Sequence, residues 1–336
     1  MNLNFILMEM THLRYWMPLV IEGNKRGLQS TFYIGPSHKY NCPTRYMHVI
    51  HGLSKEHNID VKLVKNVVEC EGLLFSSEKT GIDLVKRAKN TKKIIATYQT
   101  DFIESYSLYA GITDHILMPS RFIADYYKIH TDKNLYLGIP KYDIDLNQES
   151  ILKKYSIPEG KRALIIWPKH RDEGQIDMDR TLNTLKQQGF TLLVKTRGKD
   201  PLTSEAKQTL KKSGDFYFED TSWYPHTTQE LLEISDIAIN FGSTTIEECI
   251  MHNVPIINFD VKPEVRNGSK RPYRVTHDYL YNYNYCVQVD KDFSKPQLIA
   301  AVNFLTSTDL TEEFKKARQN HLFDHKDSCK KILDVL

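Results

Sequence analysis

Short apolar runs alternate with helical stretches along the whole chain. In the first half the runs are NFILM at 4–8, TFYIG at 31–35, DVKLV at 60–64, GLLFS at 72–76, KKIIATY at 92–98, HILMP at 115–119 and NLYLG at 134–138. In the second half they are RALIIWP at 162–168, TLLVKT at 191–196, DFYFED at 215–220, DIAINF at 236–241, PIINFD at 255–260 and YCVQVD at 285–290. Their short length, with helical periods between them, predicts strands joined by crossover helices, hence parallel sheets. Between the second and third runs, Tyr46, Ile50, Leu53 and His57 recur at helical spacing and predict a helix. The segment 138–161, with Pro140, Pro158 and Gly160, reads as an interdomain connection. From about Lys295 onward the pattern is helical. The expected organisation is therefore one Rossmann-like domain over residues 1–147, a second over 148–320, and a final helix over 321–336 that packs back on the first. Two such sheets place a cleft between their carboxyl edges, where ligands of open α/β sheets bind.

Length and composition agree with this picture. A chain of 336 residues can bury two cores, and a net charge of +3 is too small by itself to imply a nucleic-acid binder, so nucleic acid is not an expected partner. Five scattered cysteines without Cys-x-x-Cys spacing point to neither a disulfide framework nor a zinc site, so no metal is expected and a reducing cytoplasm fits. The amino terminus is interrupted by Glu9, His12 and Arg14 and makes a poor signal peptide. No apolar run approaches the roughly 20 residues that span a bilayer. The expected location is cytoplasmic, with peripheral contact at the inner membrane surface left open.

Candidate chemistry concentrates in SDIAINFGSTTIEECIMHNVPIINFD, residues 235–260. After the first strand of this stretch, Gly242 permits a tight turn, and Ser243, Thr244 and Thr245 bring hydroxyls and N–H groups to the start of a helix, a setting that suits phosphate. Ile246, Cys249 and Ile250 share one helical face while Glu248 points almost oppositely, available to a ligand such as a ribose diol. The plainer reading is a capping box, Thr244 with Glu247 or Thr245 with Glu248.

This stretch resembles the donor-binding segment of GT-B-fold nucleotide-sugar enzymes, in particular UDP-N-acetylglucosamine 2-epimerases and the CDP-glycerol glycerophosphotransferase group. IIWPKHRDEG at 165–174 is similar to the first strand and loop of their carboxyl-terminal domain. GITDHILMPSRFIADYYK at 111–128, followed by NLYLGIPKYD at 134–143, is similar to their crossing into that domain, with Lys141 where those families carry Arg. The resemblance implies a GT-B fold. It also implies a nucleotide-activated sugar donor with Glu248 on its ribose, Gly242, Ser243 and Thr244 on its phosphates, His170 or Arg171 beside the diphosphate, and Tyr224 in the donor-base region. The donor is a substrate, so no cofactor is expected.

Departures narrow the reading. The epimerase acid/base segments are missing, and the edge where the glycerophosphotransferase group carries His-Gly reads IIATYQTDF, with Thr100 and Asp101. What remains is transfer, without metal, to an acceptor hydroxyl on a carbohydrate or lipid-linked molecule, which needs a general base in the amino-terminal half. Asp101 and His12, each just beyond a strand, are the candidates, with Glu9 a third. Asp101 otherwise reads as a helix cap and His12 as a partly buried loop histidine. An inverting glycosyltransferase of surface polysaccharide or glycoconjugate synthesis is the expected activity. A CDP-glycerol-type polyol-phosphate transferase, a non-hydrolysing epimerase and a non-catalytic sugar-nucleotide-binding subunit are the alternatives.

Overall fold

The structure, a computed structural model, describes residues 1–35, 41–78, 80–96, 106–168, 176–196, 204–219, 223–259, 279–324 and 326–336. By its internal contacts the chain divides into two units. Unit 1 comprises Met1–Ile144 with Asn320–Leu336, and unit 2 comprises Asp145–Gln319.

Unit 1 holds strands β1 (Asn2–Leu7), β2 (Gln29–Ile34), β3 (Ile59–Leu63), β4 (Glu69–Ser77), β5 (Lys89–Ala96), β6 (His115–Leu117) and β7 (Asn134–Leu135). They pair in parallel in the order β3-β2-β1-β4-β5-β6-β7. The intervening helices are α1 (Leu13–Lys25), α2 (Met47–His57), α3 (Ile82–Arg87), α4 (Tyr106–Ala110) and α5 (Arg121–Tyr127). Helices cover both faces of such a sheet, so its central strands bury nearly every residue rather than alternate with polar ones. The register shows how that core is sorted. Phe5 lies opposite Phe32 on β2 and Phe75 on β4, and the rings meet edge-on at 5.8 Å and stacked at 5.2 Å. Trp16 of α1 tilts onto Phe5 at 5.7 Å and donates its indole N–H to the Ile6 carbonyl at 3.2 Å. One residue along, Ile6 points to the opposite face with Tyr33, Leu74, Ile95 and Ile116, the period-two rule at work.

Unit 2 repeats the plan with β8 (Arg162–Ile166), β9 (Thr191–Lys195), β10 (Phe216–Phe218), β11 (Ile237–Asn240), β12 (Ile256–Phe259) and β13 (Cys286–Val289), all parallel in the order β10-β9-β8-β11-β12-β13. Its helices include α6 (Gln148–Tyr155), α7 (Met178–Gln187), α8 (Ser204–Ser213), α9 (Thr227–Glu233), α10 (Thr245–Met251), α11 (Lys295–Ser307) and α12 (Thr311–His321), the last running into unit 1. The expected α/β architecture of two Rossmann-like parallel sheets is present, each predicted run contributing a strand.

The two units divide between Ile144 and Asp145, inside the segment 138–161 read as an interdomain connection, and that segment is itself structured. Pro140–Tyr142 forms a buried 3-10 turn in unit 1, and Asn147 caps α6 by accepting the Ser150 N–H at 2.9 Å. A capping asparagine followed by QESILKKY is a helix signal, which the flanking prolines obscured. At the other end, α13 (Ser328–Val335) lies against α1, where Arg26 pairs with Asp334 at 2.8 Å and donates to the Lys330 carbonyl at 3.2 Å. Ile332 and Leu333 of α13 are buried in unit 1. Among the described residues no helix is long and apolar enough to cross a membrane.

Candidate functional site

In an open parallel sheet, ligands settle beyond the carboxyl ends of the strands where the strand order reverses. In unit 2 that point lies between β8 and β11. The chain leaving β8 runs into 169–175, so His170 and Arg171 lie outside the described residues. The chain leaving β11 makes the turn Phe241–Thr244 and enters α10.

Gly242 has φ +59, with open space where a Cβ would stand, so the turn uses glycine for its backbone angle. Two asparagines hold the turn. Asn240, the last residue of β11, is in register with Asn258 on β12, which in turn is in register with Gln288 on β13. Asn240 donates to the Asn258 carboxamide oxygen at 2.9 Å, and Asn258 donates to the Gln288 carboxamide oxygen at 2.8 Å. The same Asn258 oxygen accepts the Gly242 N–H at 3.1 Å, and the Asn240 oxygen accepts the Ser243 N–H at 3.3 Å. The Asn240 amide also reaches the Ser243 carbonyl at 3.4 Å and the Tyr281 hydroxyl at 3.5 Å. Asn240 is 0% exposed, a position a strand gives to a polar side chain only when its donors and acceptors are met. The Gly242 and Ser243 N–H groups, offered to phosphate by the sequence, are thus engaged by the protein's own carboxamides.

Beyond the turn, the hydroxyls of Ser243 and Thr245 stand 3.1 Å apart, and Thr244 and Thr245 are half-buried. Thr244 occupies the cap position of α10 without a side-chain capping bond, so its hydroxyl is not committed to the capping-box role. Ile246, Cys249 and Ile250 are buried as expected, but so are Glu247 and Glu248, the latter 5% exposed. Glu248 was expected on an open face. Helix α9 packs against α10, and Glu233 of α9 accepts from or pairs with His252 at 3.1 Å, closing that side. Burial first, and then the charge of Glu248, push the Cys249 thiol well above its ordinary range. A carboxylate in the first turn of a helix gains from the helix dipole, which offsets part of its desolvation. Tyr224 sits half-buried just ahead of α9, next to Trp223 with φ +63.

In unit 1 the strand order reverses between β1 and β4. Beyond β1, Glu9 is buried and accepts from Asn41 at 3.1 Å and Thr11 at 3.4 Å, while the Asn41 carbonyl takes the Met10 N–H at 2.9 Å. His12 is 1% exposed, its N–H bonded to the Glu9 carbonyl at 3.0 Å and its ring edge-on to Trp16 at 6.2 Å. Beyond β4 comes Glu78, 0% exposed, accepting from Ser77 at 3.2 Å. Burial, and after it the charge of Glu78, raise the Tyr109 phenol. Glu9 and His12 thus follow β1 and Glu78 follows β4, its neighbour in the sheet. Glu78 escaped the sequence reading, although its place directly after an apolar strand was a usable signal. Asp101 lies outside the described residues. Lys141, in the crossing motif, is buried with its ammonium over the Tyr142 and Tyr15 rings at 4.6 and 5.8 Å.

The five cysteines are free, and among the described residues no group of His, Cys, Asp or Glu could hold a metal ion.

Solved structures share this fold. A variant of the wall teichoic acid polymerase TagF superposes with a TM-score of 0.65 at 13% identity, covering 99% of this chain and 87% of that one. A putative UDP-N-acetylglucosamine 2-epimerase from Listeria monocytogenes gives 0.60 at 11% identity, covering 99% and 95% of the two chains. The UDP-GlcNAc 2-epimerase from Methanocaldococcus jannaschii gives 0.56 at 12%, covering 100% and 99%. At such identities the likeness speaks for fold alone, and the fold is GT-B. Comparison with curated protein sequences gave no match. The family model of CDP-glycerol:poly(glycerophosphate) glycerophosphotransferases matches residues 79–261, more than half of the chain and the whole of the β11–α10–β12 turn. On that match the chain belongs to the CDP-glycerol:poly(glycerophosphate) glycerophosphotransferase family.

Proposed function

We propose that the protein transfers a group from a nucleotide-activated donor to an acceptor hydroxyl during assembly of a cell-surface polymer. The observation that carries this reading is the family match over residues 79–261, which contains the turn after β11, beside the strand-order reversal where open parallel sheets take ligands. A polyol phosphate from a CDP-glycerol-type donor is the foremost group. In that reaction the acceptor oxygen attacks phosphorus and CMP departs. Negative charge grows on the leaving phosphate, and hydroxyls, N–H groups or cations fixed there stabilise it. Under this reading Gly242, Ser243 and Thr244 border the donor phosphates, His170 and Arg171 supply the cationic side, Glu248 bonds the ribose and Tyr224 borders the base. His12 or Asp101 takes the acceptor proton.

Glycosyl transfer from a sugar nucleotide is the second reading, favoured by the fold shared with UDP-GlcNAc 2-epimerases. The two are separated by incubating the purified protein with CDP-glycerol or with UDP-N-acetylglucosamine and a membrane-derived acceptor pool, then measuring CMP and UDP. CMP released in an acceptor-dependent manner supports the first reading, and UDP release supports the second. Failure to bind or consume either donor rejects both.

A further inference from the structure

Asn240, Asn258 and Gln288 stand side by side on three neighbouring parallel strands, and their carboxamides bond in series at 2.9 and 2.8 Å. Neighbouring strands lie about 4.8 Å apart, a gap that paired carboxamides bridge while each keeps one donor and one acceptor. The row ends in the turn after β11, where Asn258 accepts the Gly242 N–H at 3.1 Å and Asn240 accepts the Ser243 N–H at 3.3 Å. Asn240 also lies 3.4 Å from the Ser243 carbonyl, so both polar groups of that residue's backbone face one side chain. A carboxamide can do this, whereas a carboxylate lacks the donor and an aliphatic lacks both. On the opposite face of the same strands Phe241 stacks on Phe259 at 5.3 Å, fixing the turn from below.

We propose that the Asn240–Asn258–Gln288 row positions the donor turn and withdraws the Gly242 and Ser243 N–H groups from anion binding, leaving the donor phosphate to the threonine hydroxyls of the turn. It rests on the reading of this turn as the donor site. Thr244 at the end of the turn and Thr245 at the start of α10 are half-buried; Thr244 makes no side-chain capping bond, and the Thr245 hydroxyl shares a hydrogen bond with the Ser243 hydroxyl at 3.1 Å. Recognition therefore works through hydroxyl donors whose rotation follows the ligand, on a backbone whose conformation is already set. The three carboxamides act through the turn and are positioning residues.

Two measurements test this. Hydrogen exchange of the unliganded wild-type protein should show slow Gly242 and Ser243 amides, with no further slowing when CDP is added. Fast exchange that becomes slow only with CDP overturns the proposal, because those amides would then belong to the ligand. Binding of CDP and of cytidine is then compared across variants. Thr244→Val, Thr245→Val and Asn258→Leu should each raise the CDP dissociation constant about tenfold, the scale of one hydrogen bond to a charged group, with cytidine affinity within about twofold of wild type. Gln288→Ala, at the exposed outer end of the row, should show a smaller effect in the same direction and retains the fold if Asn258→Leu does not. Unchanged CDP binding in the threonine variants overturns the proposal, as does an equal loss for CDP and cytidine. A wild-type protein that binds no nucleotide rejects the proposed function instead, while the exchange pattern still decides the role of the row.

Discussion

Glu247 and Glu248 stand side by side inside unit 2, where a carboxylate loses most of its hydration. The first turn of α10 compensates partly through its dipole. Under the proposed function, a bound ribose would offer Glu248 two hydroxyl donors. Replacing Glu248 by Gln keeps the volume and removes the charge. The expected outcome is a rise of about tenfold in the donor dissociation constant by calorimetric titration, the value of a charge-assisted hydrogen bond. An unaltered titration would remove Glu248 from the donor site. For His12 the expectation is different. His12→Gln should lower turnover by a factor of about 10² to 10⁴, as loss of a general base does, with donor affinity kept. Since the ring packs on Trp16, the melting temperature must be followed in parallel, and turnover equal to wild type would exclude His12 as the base. At this scale the sequence was only partly readable. The residue types around 242–248 stood out, but the burial of Glu248 did not, because it depends on α9 arriving from elsewhere in the chain. Asn240 and Asn258 passed as strand endings, since nothing in a single strand reveals that its neighbours carry carboxamides at the same level.

At the scale of elements the chain was far more legible. A parallel strand covered on both faces must be apolar almost throughout, and runs such as LIIWP and IAINF admit little else. Strand order was not written in any one run. It is a property of pairing, and it is what puts β8 beside β11 and so defines the candidate site. The segment 138–161 was legible as the connection between units, but prolines at 140 and 158 hid the helix α6 that its asparagine cap starts. Glycine placement offers a test at this scale. Gly72 lies in β4 with φ +97, where register with β5 shifts, and a Cβ there would strike the Asn2 backbone. Gly27 has φ +72 but nothing within 4 Å of that position. Denaturant unfolding should therefore show Gly27→Ala costing about 1 kcal/mol, the left-handed penalty alone, and Gly72→Ala about 2–4 kcal/mol from added backbone collision. Equal costs would mean that β1 gives way to the new methyl group.

For the molecule as a whole, the chain leaves unit 1 after Ile144 and returns to it at Asn320. His321 marks the return, its ring edge-on to Phe122 at 4.6 Å. Burial holds its imidazole below the usual histidine range, so the folded protein resists a proton that the unfolded chain accepts. The unfolded state then binds more protons between the folded value and about 6.5, and stability falls as pH drops through that interval while remaining full above it. Thermal melts between pH 7.5 and 5.5 should show a lower midpoint at the acid end, and His321→Phe should flatten the part of that slope due to this ring. A slope identical in the variant would assign the acid sensitivity elsewhere.

The return also bears on how the chain matures. Because α13 seals α1 with Ile332 and Leu333, a ribosome releases the last piece of the first globule only after the entire second globule has been made. Helix α1 must wait, incompletely covered, through the synthesis of the intervening 175 residues from Asp145 to Gln319. Any growing chain stalled in that interval presents an open apolar helix face to the chaperones around it.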